Sequence, residues 1–84
     1  MTPKERQLKR YCERRDFALS KVRDHIVLAK IDLQWAETDR RHGHRDEHLE
    51  SMRLVAHHRE QALWWYARYQ KKCQQIAELE KEVA

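Results

Sequence analysis

Apolar side chains recur along the first half of the chain at alternating steps of four and three residues. This is the spacing of a heptad repeat, which places the side chains on one helix face and predicts left-handed, coiled-coil-like packing. The chain contains one proline, Pro3, and no glycine before Gly43, so nothing interrupts the helix. The predicted contact row contains Leu8, Cys12, Arg15, Leu19, Val22, Ile26, Ala29, Leu33, Ala36 and Arg40.

The second half of the chain carries a similar stripe. Asp46 is predicted to cap the start of this helix, and Glu47 favours the positive end of the helix dipole. The helix is predicted to span residues 47–82, and its contact stripe contains Met52, Val55, Ala56, Arg59, Ala62, Leu63, Tyr66, Tyr69, Cys73, Ile76 and Ala77.

Gly43 divides the chain into two nearly equal halves. Thr2, Pro3 and Glu5 form a capping box that starts the first helix, predicted over residues 3–41, and a turn follows at 42–46. We therefore predict a single domain, 1–84, with an all-α fold: an antiparallel two-helix hairpin. Folding at Gly43 brings Phe17 opposite Tyr69, Leu33 opposite Met52, and Cys12 near Cys73.

The first helix has more apolar surface than one contact row uses. Val27, Leu28, Ile31 and Trp35 form a second stripe that the hairpin cannot bury by itself. Because adjacent side chains on a helix diverge by about 100°, Trp64 and Trp65 cannot both face the first helix. We therefore predict that this second stripe packs against a partner protein or a second copy, which would give a homodimer in the form of a four-helix bundle. The predicted interface contains Val27, Leu28, Ile31, Trp35, Leu54, Trp64 and Trp65.

The charge distribution suggests a second interpretation. The net charge of +4 resides in residues 1–42, which contain eleven Lys and Arg against seven Asp and Glu. A basic helix can follow a phosphate backbone. The candidate nucleic-acid contacts are Lys9, Arg10, Arg14 and Lys21, although interleaved acids such as Glu13 are also typical of a solvated charged face.

The histidines and cysteines provide the remaining candidate chemistry. His44 and His48, near His42 at the bend, have the i, i+4 spacing that can hold one metal ion, but polar turns are commonly rich in such residues. The register also gathers His25, His57 and His58, a possible pH sensor. Cys12 and Cys73 can form a disulfide bond or, as small apolar side chains, fill space between the helices. We favour the second interpretation, with two free thiols. We predict no catalytic residue, metal or cofactor.

The chain has no apolar run of transmembrane length and no apolar leader at its N-terminus. We therefore expect a cytoplasmic protein without a membrane partner, in which both thiols stay reduced.

The functional hypothesis from these patterns is a small non-enzymatic protein-binding module. It would act as an adaptor, or as an inhibitor that docks on a larger protein complex. Its size and charge are typical of compact inhibitors carried by phages and other mobile elements. The alternative is a nucleic-acid-binding or regulatory protein that uses the basic first helix.

Overall fold

The computed structural model describes residues 1–83. It contains two antiparallel helices of 39 residues each, joined by a short bend. Helix α1 spans Pro3–Arg41 and helix α2 spans Arg45–Val83. They pack side by side along their length and form a rod of 61 × 16 × 13 Å. The predicted all-α helical hairpin is therefore confirmed.

The ends of the helices follow from local chemistry. The Thr2 hydroxyl accepts a hydrogen bond from the Glu5 backbone N–H at 3.1 Å, and Pro3 occupies the first turn. At the bend, Gly43 has φ +72°, in the left-handed region that residues with a Cβ avoid. Helix α2 starts two residues earlier than predicted, so Asp46 lies in its first turn and does not cap it.

Each helix turns one continuous heptad row towards the other, and we call these two rows the inner rows. All of their members are buried or half-buried. The inner row of α1 contains Leu8, Tyr11, Arg15, Ala18, Val22, His25, Ala29, Asp32, Ala36 and Asp39. The inner row of α2 contains His48, Ser51, Val55, His58, Ala62, Trp65, Tyr69, Lys72, Ile76 and Leu79.

The inner rows correct part of the predicted contact pattern. Val22, Ala29 and Ala36 face the other helix as predicted, but Ile26 and Leu33 do not: each is 43% exposed. Their preceding neighbours, His25 and Asp32, occupy the space between the helices instead. Half of the row is thus displaced by one residue, which is about 100° around the helix.

The pairing along the hairpin also differs from the predicted register. Phe17 packs edge-on against Trp65, with ring centroids 5.6 Å apart, rather than opposite Tyr69. That difference amounts to about one helical turn. Leu33 and Met52 line the same groove, in agreement with the predicted pairing.

The core of the hairpin is very small. Within residues 1–83, only Ala18, Val22, Ala36, Val55 and Ile76 are buried. By contrast, fifteen large apolar side chains are exposed, including Trp35 at 60% and Leu63 at 69%. Most of the large apolar side chains of the described residues are therefore exposed rather than buried.

The bend provides a test of the fold. A Cβ on residue 43 would meet no atom within 4 Å, so the cost of Gly43→Ala is conformational rather than a clash. We expect Gly43→Ala to lower the free energy of unfolding by about 1–2 kcal/mol. Gly43→Asn should cost less, because asparagine tolerates the left-handed region. Urea denaturation that gives equal stability for both variants and the native chain would contradict this turn geometry.

Candidate protein-interaction surfaces

Many of the exposed apolar side chains fall on two opposite sides of the inner rows, whereas Val27 lies on the outer face of α1, away from α2. In a helix pair with heptad spacing, residues seven apart share a face, so each side can be followed along the whole rod. We call one side the methionine flank; it contains Leu19, Ile26, Leu33, Met52 and Tyr66. We call the other the tryptophan flank; it contains Leu28, Ile31, Trp35, Leu54 and Trp64.

The methionine flank forms a groove between the two helices. One section, of about 230 Å³, is lined by Ile26, Ala29, Leu33 and Ala62. The next section, of about 530 Å³, is lined by Leu33, Ala36 and Met52 together with five polar or charged residues. Since Leu33 belongs to both sections, they adjoin and form one groove that runs towards the bend and exposes mainly apolar surface.

Cationic side chains border this groove. Lys30 and Arg59 line the first section and make no ion pair within residues 1–83. Nearer the bend, Glu37 pairs with Arg40 at 2.6 Å and with Arg41 at 3.4 Å, and these contacts lower the pKa of Glu37. The free charge at the groove is therefore positive.

The tryptophan flank has a different chemistry near the open end of the hairpin. Arg68 lies over the Trp64 ring, 4.5 Å from its centroid, and Lys21 lies over Phe17 at 5.4 Å. A groove of about 230 Å³ here is lined by Arg14, Phe17, Ala18, Trp65, Arg68 and Lys72, without an acidic residue. We call this the basic-aromatic groove.

The structure places the predicted interface residues as follows. Val27, Leu28, Ile31, Trp35, Leu54 and Trp64 are all exposed. Trp65 is half-buried within the hairpin, where it packs on Phe17 and meets Trp64 edge-on. Trp64 is therefore the outward-facing member of the tryptophan pair.

The predicted nucleic-acid contacts are not equivalent. Lys9 pairs with Glu13 at 3.9 Å, whereas Arg14 lines the basic-aromatic groove and Lys21 covers Phe17. Arg10 is exposed. Sequence reasoning missed the cations that α2 adds to this groove, Arg68 and Lys72, although the heptad register across the hairpin could have found them.

Three ionisable side chains meet in the middle of the hairpin. The Nδ1 atoms of His25 and His58 are 2.9 Å apart, so one of them carries a proton and donates it to the other. The opposite nitrogen of His58, Nε2, lies 3.6 Å from the Asp32 carboxylate. His57 is adjacent, with its ring 5.3 Å from that of His58. The histidine cluster predicted from the register is present, and Asp32 is a member that sequence reasoning missed.

Burial and neighbouring groups change the pKa of His25 in this cluster. The pKa of His25 is lowered, first by loss of hydration and then by His58, His57 and Lys21; Asp24 opposes the effect. Loss of hydration disfavours the charged imidazolium of His25, and the neighbouring groups add to this effect, so both causes lower its pKa.

The histidines at the bend do not converge. His48 turns inward and its Nδ1–H donates to the Ala36 carbonyl oxygen at 2.7 Å. His44 faces Asp39 at 3.7 Å, and its ring meets that of His42 edge-on. Within residues 1–83, no group of three or more His, Cys, Asp or Glu side chains is arranged to hold a metal ion.

The two cysteines lie on different helices towards the open end, and both are free and half-buried. The pKa of Arg15 is raised, first by its hydrogen bond to Asp16 and to a smaller extent by Cys12 and Cys73. Arg15 itself binds the neighbouring Asp16 at 3.0 Å.

Comparison with protein-family models, with curated proteins and with solved structures finds no match to this chain. Neither helix, over the residues described, has a segment of the length and apolarity that crossing a membrane requires.

The lowered pKa of His25 generates a prediction. In the unfolded chain His25 takes up a proton near pH 6.5, whereas in the hairpin its lowered pKa keeps it neutral to a lower pH. The contribution of His25 to stability is therefore complete above pH 6.5 and declines as the pH falls below that value. We expect the melting temperature to drop between pH 7 and pH 5, and His25→Gln to flatten this dependence. The control is His42→Gln, at the exposed bend, which should leave the slope unchanged. Equal slopes for the His25 variant and the native chain would refute this role of His25.

Proposed function

We propose that this chain is a small non-enzymatic protein-binding module, an adaptor or inhibitor that docks through the methionine flank on a larger protein. One observation carries the proposal. Ile26 and Leu33 are exposed while the adjacent His25 and Asp32 are half-buried between the helices. A hairpin built for its own stability would have the opposite arrangement, because burying a Leu or Ile contributes about 1.5–3 kcal/mol.

The groove favours a helical partner. It extends from Ile26 to Thr38, about 18 Å at 1.5 Å per residue, and the surface it exposes is mainly apolar. A helix with apolar residues at i, i+3 or i+4, and i+7 fits such a channel. Met52 adds a flexible, polarizable wall that adapts to the bound side chains. Since Lys30 and Arg59 border the channel, the partner helix should carry acidic residues beside its apolar stripe.

Site-specific photo-crosslinking tests this proposal. A benzoyl-phenylalanine at Leu33 should link covalently to one predominant protein in cells of the natural source. At Ser20, an exposed position away from both flanks, the same group should link to none. Equal labelling at both positions, or no product from Leu33, would contradict the proposal.

The partner identified in this way allows a quantitative measurement. Leu33→Glu should weaken its binding roughly 10- to 100-fold, as loss of one buried aliphatic anchor predicts. Circular dichroism should show an intact helical hairpin, because Leu33 is not part of the inner rows. Added salt should have little effect on the native affinity. An affinity within twofold of the native value would remove Leu33 from the interface.

The basic-aromatic groove supports a second candidate function, binding of nucleic acid. Cations next to exposed rings are the combination that single-strand-binding proteins use. If this candidate is right, the chain should bind an oligonucleotide, and the affinity should fall steeply with added salt. The Arg14→Glu variant should not bind. Absence of binding at low salt would eliminate it.

A further inference from the structure

The tryptophan flank changes character along its length. The flank consists of four rows of residues, and within each row the residues are seven positions apart. One row passes through each of Arg14, Phe17, Trp64 and Arg68. In the half near the open end, these rows carry the cations Arg10, Arg14, Lys21, Arg68 and Lys71. In the half near the bend, they carry the anions Asp24, Glu47 and Glu50. The flank is thus positive at one end and negative at the other.

Charges of the other sign are fewer, and those on the same rows lie at the extreme end. Glu78 and Glu82 follow the cations at the extreme open end, where Glu82 pairs with Lys4 at 3.8 Å. Arg53 is close to the anionic half, in a groove that also contains Asp46 and Glu50. Neither set reverses the polarity of the flank.

Apolar groups occupy the space between the charged ends. Phe17 and Trp64 are exposed on the open-end side, and each is covered on one face by a cation. Leu28, Ile31 and Leu54 are exposed on the bend side. From the open end, the cations Arg10 and Arg14 are followed by the rings of Phe17 and Trp64, and Lys21 and Asp24 lie near the middle of the rod. The aliphatic side chains come next, and Glu47 and Glu50 lie nearest the bend, together with Trp35.

We infer that the tryptophan flank binds a second copy of this chain, with the two hairpins antiparallel and their bends at opposite ends. A twofold axis across the rod reverses the order of the groups in the second copy. The cations of one copy then face the anions of the other, and the rings of Phe17 and Trp64 face Leu28 and Leu54. Twofold interfaces are self-complementary in this way.

The opposite orientation is disfavoured by the same charges. With both bends at one end, Arg14 and Arg68 would face their own copies across the axis, and so would Glu47 and Glu50. Like charges in contact across an interface cost free energy and suppress that arrangement. Charge thus selects the antiparallel dimer, and the apolar groups supply its contact area.

This inference deepens the proposed function, since it names one protein that the chain binds and assigns it to the flank opposite the groove of Leu33. A dimer formed through the tryptophan flank leaves both methionine flanks free. The assembly would be a four-helix bundle that presents two identical grooves to other proteins.

The mass and orientation can both be measured on the full chain. Sedimentation of the native protein should give twice the monomer mass of 10.4 kDa, whereas a chain with Leu28→Glu and Ile31→Glu should sediment as a monomer. For orientation, a spin label on His42→Cys, in a chain with Cys12→Ser and Cys73→Ser, reports the distance between the two bends. We expect a distance close to the 61 Å length of the rod. A monomeric native chain overturns the inference, and a distance under about 20 Å, two helix spacings, overturns the orientation.

Charge reversal tests the pairing itself. Glu47→Lys with Glu50→Lys should raise the dimer dissociation constant at least tenfold, and so should Arg10→Glu with Lys71→Glu. All four changes together should restore the native value, because the pairs are exchanged rather than lost. The matched control is Glu13→Lys with Glu60→Lys, which alters the charge equally at exposed positions outside the flank and should have little effect. No loss from the reversals, or no recovery from their combination, overturns the inference.

These outcomes are separable from those of the proposed function. A monomer that still crosslinks through Leu33 would reject the dimer and leave the proposed function standing. If the native chain is a monomer that binds oligonucleotides, and the Arg14→Glu variant does not bind them, the dimer is rejected. The basic-aromatic groove would then be a binding site for the phosphates of nucleic acid.

Discussion

The contact between the two inner rows constrains everything else in this hairpin. Alanines hold the helices close together near the bend, and His25, Asp32 and His58 take positions that leucine or isoleucine fill in a stable coiled coil. Helices that approach on small residues leave little room between them for bulky side chains. Near the bend, Leu28, Leu33 and Trp35 therefore lie on the two flanks, whereas Trp65 and Tyr69 enter the inner row of α2 towards the open end.

That arrangement leaves apolar surface that association with another chain would bury. Small domains have a stability of about 5–15 kcal/mol in total, and each buried Leu or Ile contributes about 1.5–3 kcal/mol of it. A hairpin that buries Val55 and Ile76 but exposes Leu28, Leu33 and Trp35 leaves a large part of its available stabilisation unused. In the assemblies proposed above, contacts on the flanks supply that stabilisation and charge selects among them. The positive border of the methionine flank favours an acidic helix, and the divided charge of the tryptophan flank favours a second copy.

The sequence predicted the architecture well because the relevant signals are local. Pro3 and Thr2 start one helix, Gly43 ends it, and no other breaker occurs, so two helices joined at the bend follow from the chain alone. The outer stripe of Leu28, Ile31 and Trp35 was also predictable, because one helix face cannot hold so many apolar residues.

The methionine flank was not predictable in the same way. A heptad row through Val22 and Ala29 can continue through Ile26 and Leu33 or through His25 and Asp32, and hydrophobicity favours the first choice. The second choice depends on contacts between helices: His25 meets His58, and Trp65 meets Phe17. Such pairings are separated by tens of residues in the chain, so the periodicity of one helix does not reveal them.

We propose that contacts between chains, made through the flanks, stabilise a hairpin whose own inner rows are weak. Thermal unfolding over a hundredfold range of chain concentration measures this stabilisation. If a second copy binds only the folded hairpin, mass action should raise the melting temperature by about 5–10 °C across that range. A melting temperature that is independent of concentration would contradict the claim, because it would mean that the isolated hairpin has all the stability of the native protein.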